Sequence, residues 1–383
     1  TIMNRFERIR IRGFRRILDA EVEMRPLAVL IGANGTGKTS FLDAWSLLAA
    51  SCRSQLAETL SAYHGLNDTL TRTHAERLIF DVAMSMGRSA PLEYHVEIAP
   101  KGAFYEIAEE RLTQQNQATE PPFEHIQATH LDIRYFSPTD NRLLRPTWEY
   151  NSLETSLAQV PKMFQGPEML RSRLASSTYY NPIPVTEKAP VRLPQPMRPA
   201  TLPGGDGEDL VASLYYLRET DRDRFEIIED TLSAAFPDFE RLEFPPVAAG
   251  VLTMTWKDKN FSKPIYMHEL SEGTIRFLWL LSTLHSQRKT AVTLLDEPEV
   301  SLHPELLSLL VDAMREAATR TQLIVATHSD RLVHFLQPNE ILVTDVEQGF
   351  TSFIWGDALN LDKWLEDYTL DQLWRMGRLG GRP

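Results

Sequence analysis

The sequence predicts an α/β protein: a mostly parallel sheet flanked by helices, with an antiparallel β-meander and a helical lobe added to it. Three observations predict this. The apolar run Leu27-Ala28-Val29-Leu30-Ile31 enters Gly32-Ala33-Asn34-Gly35-Thr36-Gly37-Lys38-Thr39, and a helix-like stretch follows from Ser40 to Ala50. Strands and helices alternate from Pro264 onward, the pattern of a parallel sheet covered by helices. Between Leu78 and Leu112, short alternating runs are separated by Gly87, Pro91, Pro100 and Gly102, which is the pattern of a meander.

The elements follow in order. Ile9 and Ile11 alternate with Arg8, Arg10 and Arg12, giving a strand with one apolar and one basic face. The basic face reads as solvated; its functional reading is contact with nucleotide or a nucleic-acid backbone. Glu21 to Met24 is a second short strand. The meander uses Leu78–Met84, Leu92–Ile98 and Ala103–Ala108, and Ile133 to Pro138 is one more strand running into a loop. Asn181 to Gly207 carries seven prolines and ends in Gly204-Gly205-Asp206-Gly207, which predicts a Pro-rich loop or linker. Asp209 to Ala235 has helical spacing, and a second meander surrounds Leu242 to Trp256. Trp279-Leu280-Leu281 belongs to a buried helix, Ala291–Leu295 to a buried strand, and Pro304–Ala318 to an amphipathic helix. Gln322–Thr327 and Ile341–Val346 are further buried strands.

Bulk properties narrow the class. The 383 residues are 43% hydrophobic and 24% charged, ordinary for a globular chain of two or three units or one elaborated domain. The single Cys52 excludes an internal disulfide framework and fits a reducing compartment. No apolar run approaches the roughly 20 residues that span a bilayer, and Met3-Asn4-Arg5-Phe6-Glu7-Arg8 lacks the apolar core of a signal peptide. A cytoplasmic protein with no membrane partner is expected. The net charge of −12 excludes a chain coated in basic surface but leaves room for one basic patch. Arg5, Arg8, Arg10, Arg12, Arg15 and Arg16 are the first candidate patch.

The eight residues from Gly32 to Thr39 form a complete G-x-x-x-x-G-K-[ST] phosphate loop in its strand–loop–helix setting. Such a loop turns successive backbone N–H groups toward a polyphosphate, and the helix start adds a favourable dipole. Gly32, Asn34, Gly35, Thr36, Gly37, Lys38, Thr39 and Ser40 are therefore the nucleotide-binding candidates. Lys38 is expected at the β/γ-phosphates and Thr39 on Mg2+. Val292-Thr293-Leu294-Leu295-Asp296-Glu297 delivers an acidic pair to a strand end, where open α/β sheets bind ligands. Asp296 is expected to hold Mg2+ and Glu297 to act as general base. Ser271 and Gly273 open a helix and form a second anion site, and His328 ends a buried strand beside the first.

These four motifs stand in the order of ABC-type ATPases. The sequence resembles their soluble branch, the SMC/RecF-like and OLD-like predicted ATPases, many of them in bacterial DNA repair or anti-phage systems. Ile11-Arg12-Gly13-Phe14-Arg15 is similar to that branch's opening strand, and Glu297-Pro298-Glu299-Val300-Ser301-Leu302-His303-Pro304 to its Asp-Glu-Pro-Glu and Leu-His-Pro box. The likeness covers residues 5–50 and 264–346 firmly, and 206–244 and 370–381 loosely. The signature departs from the transporters' at Glu272 and Thr274. The Gln loop has only weak candidates, Gln127 and the segment Ser137–Asn141. The stretch after Val346 is too short for the Toprim nuclease domain of OLD-family proteins. Asp357, Asp362, Glu366 and Asp367 read instead as surface acids.

The resemblance implies an ABC-type ATPase head. Residues 1–180 and 263–356 would form its two parts, 181–207 a loop or linker, 208–262 a helical lobe with a short β segment, and 357–383 a helical tail. It also implies ATP and Mg2+ as ligands and catalytic roles for Glu297 and His328. Two heads would pair head to tail, or in a higher homo-oligomer, with Ser271 and Gly273 of one copy closing on the phosphates of the other. The expected function is an ATP-dependent switch in a DNA-associated or anti-phage complex. Its effector nuclease would be a separate chain, with DNA or a phage component as a further candidate partner. The alternatives are the nucleotide-binding subunit of an ABC transporter, or an ATP-binding scaffold with little turnover.

Overall fold

In the computed structural model, which describes residues 4–116, 120–130, 132–288 and 290–383, two sheets enclose the helix Lys38–Ser51. Met3, where the signal-peptide reading begins, lies outside the described residues. The first sheet has six strands, in the order Thr178–Tyr180, Val292–Asp296, Gln322–Ala326, Leu27–Ile31, Ile341–Glu347 and Phe350–Trp355. The first five run parallel, and Phe350–Trp355 closes the edge antiparallel. That edge strand lies beyond the last one the sequence pattern predicts.

Helices on both faces explain why the inner strands are apolar throughout. Along Leu27–Ile31, Ala28 and Leu30 enter the core shared with the helix Lys38–Ser51, while Leu27, Val29 and Ile31 enter the opposite core. Gln322–Ala326 divides the same way, with Ile324 and Ala326 on the first side and Leu323 and Val325 on the second. The second core is built on the helices Leu210–Thr220, Arg222–Ala235, Glu272–Leu284, Leu307–Ala317 and Leu370–Arg375. The helical spacing across 209–235 is broken once, at Asp221, whose side chain accepts the Arg224 N–H at 3.2 Å and so caps the second helix. A 3-10 turn, Pro304–Leu306, opens the amphipathic segment that continues as Leu307–Ala317.

The second sheet is antiparallel and eight-stranded: Ile17–Glu23, Phe6–Phe14, Leu78–Met86, Ser89–Lys101, Phe104–Gln114, Phe123–Thr129, Asp132–Ser137 and Arg142–Leu144. Its apolar face packs on the helix Lys38–Ser51. There Trp45 meets Phe6 edge to face at 5.1 Å and donates to Ser177 Oγ at 3.1 Å. The other face is an ion-pair ladder. Arg8 pairs with Glu93, Arg10 with Asp19 at 2.7 Å and Arg12 with Asp81 at 2.8 Å; beside them Arg15 pairs with Asp43 at 2.5 Å. Four of the six arginines of the candidate patch are thus already neutralised; among the described residues Arg5 and Arg16 have no ion pair. No helix among the described residues is long and apolar enough to cross a membrane.

The Pro-rich segment is mostly loop, with a 3-10 turn at Pro190–Arg192 and a two-residue strand at Gln195–Pro196; Ile183, Val185 and Val191 are buried, while Leu193 and Met197 are exposed. Pro supplies no N–H, so side chains meet the backbone's needs here. Gln195 donates to Gly207 O at 2.8 Å and accepts from Val211 N at 2.8 Å. Arg192 donates to Val185 O at 2.7 Å and to the carbonyls of Met267, His268 and Leu270 at 2.8 to 3.2 Å. Those three residues immediately precede Ser271. Further along, Asp362, Glu366 and Asp367 are exposed, and Asp357 pairs with Arg25 at 2.9 Å.

One side chain ties the two sheets together. Gln322, fully buried, accepts the Phe6 N–H at 2.8 Å and donates to the Phe6 carbonyl at 2.9 Å. It occupies both backbone groups of Phe6 as a strand partner would. Gln322→Leu keeps the volume and leaves both groups buried without partners, so stability should fall by about 2–4 kcal/mol. Chemical denaturation is the check; an unchanged midpoint would show that Phe6 finds other partners.

Candidate functional site

The phosphate loop is fixed by what lies behind it. A Cβ on Gly32 would run into the Thr344 carbonyl oxygen, and one on Gly37 would lie 2.5 Å from Thr351 Oγ1. Thr351 Oγ1 donates to Thr36 O at 2.7 Å and Thr36 Oγ1 to Ala33 O at 2.9 Å, so the loop is braced from the strand edge. Its tip is open: nothing lies within 4 Å of a Cβ built on Gly35, and Asn34 and Thr39 are exposed. The helix Lys38–Ser51 begins at Gly37 with no side-chain cap and no acid in its first turn. Its free N–H groups and positive dipole end therefore face the opening unanswered, which suits an anion. Ser40 is half-buried in that first turn.

Lys38 is 4% exposed and curls back to donate to Gly32 O at 2.5 Å and Ala33 O at 3.0 Å. Burial pushes its pKa down to about 8, against the pull of Asp296, Glu297 and Glu299. Asp296 ends the neighbouring strand Val292–Asp296 and accepts the Tyr179 hydroxyl at 3.3 Å. Burial, and then the charge of Glu297, holds the Asp296 carboxyl above the usual range. A half-buried carboxylate crowded by other acids is the group a divalent cation would relieve.

Glu297 breaks out of the strand in the left-handed region, at φ +46°, while its N–H donates to Ala326 O at 2.9 Å. A non-glycine residue there costs on the order of 1 kcal/mol. The kink sends the carboxylate toward the histidine strand, and Glu297 Oε1 lies 3.3 Å from His328 Nε2. His328 is partly exposed; burial, and then Lys38, lower its pKa, while Glu297 opposes the shift. At neutral pH the ring is therefore mainly neutral.

Ser271 and Gly273 lie elsewhere. Ser271 caps the helix Glu272–Leu284, accepting the Thr274 N–H at 3.1 Å, and is exposed. A Cβ on Gly273 would come within 2.6 Å of Ser301 O, so this glycine admits the loop that follows Glu297. No described contact joins Ser271 or Gly273 to the phosphate loop, Asp296 or Glu297.

Three residues at the site carry no role in the sequence reading. Glu299 is half-buried, accepts Thr327 Oγ1 at 2.6 Å and the His328 N–H at 3.2 Å, and has a second oxygen without a partner. Burial raises its pKa. It fixes the backbone that carries His328. Tyr179 and Asn181 belong to the strand end beside Asp296, and Asn181 shares a crevice with Asp296, Glu297 and Arg276. The only sequence signal for them is the short Thr-Tyr-Tyr run, too brief to rank as a strand. The weak Gln-loop candidates sit in the antiparallel sheet: Gln127 is paired between Arg111 and Arg134, and Ser137 bonds Asp140 at 2.7 Å.

Comparison with known proteins agrees with this geometry. A family model described as "AAA domain, putative AbiEii toxin, Type IV TA system" matches residues 27–334. No curated protein matches the chain significantly. Among solved structures, an SMC head bound to the C-terminal winged-helix domain of ScpA has a TM-score of 0.56 at 12% identity, covering 91% of this chain and 97% of that one. An SMC head with an extended coiled coil, bound to the C-terminal domain of ScpA derived from Pyrococcus furiosus, has a TM-score of 0.55 at 12% identity, covering 95% and 99%. At that identity the likeness shows the fold, an ABC-type ATPase head.

Opposed charges at His328 give a signed prediction. Lys38→Met should raise the midpoint of the His328 ring titration, and Glu297→Gln should lower it, read by NMR of the ring carbons. Shifts of the same sign in both variants would remove the electrostatic account of this cluster.

Proposed function

The chain belongs to the AAA-domain family so described, and from that premise we propose that it binds and hydrolyses Mg-ATP and uses the cycle to pair two heads. The observation that carries this is the convergence of Lys38, Asp296, Glu297 and His328 at the ends of three neighbouring parallel strands, with Ser271 outside the cluster. The uncapped helix start and the open space at Gly35 fit a polyphosphate.

Backbone N–H groups from Gly32 through Ser40 would hold the phosphates, with Asn34, Gly35, Thr36 and Gly37 forming the curve of the loop. Lys38 would leave the two loop carbonyls for the β/γ-phosphates and recover the charge that burial now penalises. Thr39 and Asp296 would hold Mg2+, which supplies charge neutralisation at the transferred phosphoryl group. Glu297 would accept a proton from the attacking water at Oε1, within reach of His328. Neutral His328 would orient that water and stay in place through the Glu299 contact to its backbone.

A second copy completes the site. Ser271 is exposed at the N-terminus of its helix, and no described contact joins it or Gly273 to its own phosphate loop. Head-to-tail pairing would set that start against the phosphates of the other copy. A ligand held by both copies favours the pair over the single head by its differential affinity. The family description names one component of a TA system, which supports a partner or effector carried by a separate chain, in a defence or DNA-associated setting. The neutralised arginine stripe lends that face no support as a DNA-binding surface.

Two measurements test this. Glu297→Gln should lower steady-state ATP turnover at least about 100-fold and should double in mass in solution when Mg-ATP is added. Adding Ser271→Arg should abolish the doubling. Equal turnover in wild type and Glu297→Gln would remove the base assignment; doubling that survives Ser271→Arg would remove the pairing geometry.

A further inference from the structure

The segment from Leu370 to Gly381 enters none of the chemistry above, yet it touches the ATP machinery at both ends. Its helix Leu370–Arg375 buries Leu370, Leu373 and Trp374 beneath the parallel sheet. Beyond the helix the chain turns back: Gly377 N donates to Trp374 O at 2.8 Å and Arg378 N to Leu373 O at 2.9 Å. Trp374 Nε1 then donates to Gly381 O at 2.9 Å, which clamps the returning chain. There Gly381 lies flat on the phosphate loop, since a Cβ on it would sit 3.1 Å from Ala33 Cβ. At the other end, Asp371 Oδ1 meets His334 Nδ1 at 2.9 Å and Arg375 Nε meets Asp330 Oδ2 at 3.2 Å. Asp330 starts the short helix that immediately follows His328-Ser329.

We infer that Leu370–Gly381 is a strap that positions the phosphate loop: seated, it holds Ala33 against the strand edge and sets nucleotide affinity. The nucleotide half rests on the ATP reading given above. The loop's inner side is braced by Thr344 and Thr351, whereas its outer limb at Ala33 is backed by Gly381. Reactive geometry is sensitive to displacements of about 1 Å, so a brace at this point acts on binding as well as on stability. Coupling is also reciprocal: if seating the strap favours nucleotide, nucleotide favours the seated strap by the same factor.

Gly381→Val tests it, since the added branch must displace either Ala33 or the strap. Trp374→Phe is the second variant; it keeps an aromatic ring and removes the donor to Gly381. Hydrogen exchange in nucleotide-free protein reads the contact directly. Both variants should speed exchange at Ala33–Thr36 while leaving the strand Gln322–Ala326 unchanged. A fluorescent ATP analogue should bind each variant at least about fivefold more weakly, and Mg-ATP should slow exchange at Gly377 and Arg378 in the wild type. Unchanged loop exchange in both variants overturns the strap. Faster loop exchange with wild-type analogue affinity overturns its control of nucleotide. Wild type that fails to bind the analogue overturns the ATP reading, while the exchange result still decides the brace.

Discussion

Burial of the strand Leu27–Ile31 on both faces is the constraint on which the rest depends. Its five side chains alternate between two cores, so a shift of one residue would exchange every one of them between differently shaped environments. The register against Gln322–Ala326 and Ile341–Glu347 is therefore fixed, and with it the point where the chain leaves the sheet at Gly32. Because the strands are parallel, Asp296 and His328 leave the sheet at the same edge. Packing of the strands thus brings the cluster together, and the Glu297–His328 and Glu299–His328 contacts form within that frame.

That assembly leaves an electrostatic imbalance. Lys38 is the cation buried among Asp296, Glu297 and Glu299, and it spends its donors on its own loop's carbonyls. Asp43, near Asp296, is already matched by Arg15. Burial pushes Lys38 toward neutrality against the pull of its acidic neighbours, and burial together with the like charge of Glu297 pushes Asp296 the same way against the pull of Lys38. A dication beside Asp296 and a polyanion beside Lys38 would relieve both at once. Under the proposed function, the free energy recovered by such pairing would be a physical source of affinity.

Much of the fold was legible because its signals are local. Leu27–Ile31, Val292–Asp296 and Gln322–Ala326 are each a run of apolar residues ending at a polar motif, and the loop glycines mark their own turn. The meander was legible from alternation and its Gly/Pro breaks. What escaped depends on partners far apart in the chain. Arg8 looks free in sequence because Glu93 lies 85 residues away and becomes its neighbour only when the strands pair. Glu299 reads as one more acid of the Asp-Glu-Pro-Glu box until its bonds to Thr327 and the His328 backbone are seen. Arg192 reads as one charge in a Pro-rich loop; only the fold brings the carbonyls of Met267, His268 and Leu270 to it.

Those long-range contacts also decide what can move independently. Gly273 is pressed against Ser301, and Arg276 bonds Ser301 Oγ and Ile183 O, so the signature helix is packed against the loop that carries Glu297 and against the Pro-rich segment. Arg192 holds the carbonyls just before Ser271 from the same segment. Ser301, at φ +64°, has no spare room toward Gly273. A shift of the acidic loop, such as neutralising Asp296 and Glu297 would favour, has to be taken up either by that tight contact or by movement of the helix start. Close-packed interfaces of this kind respond as units rather than by local yielding. Ser271 is therefore mechanically tied to the acids of its own chain, although it shares no direct contact with Asp296 or Glu297.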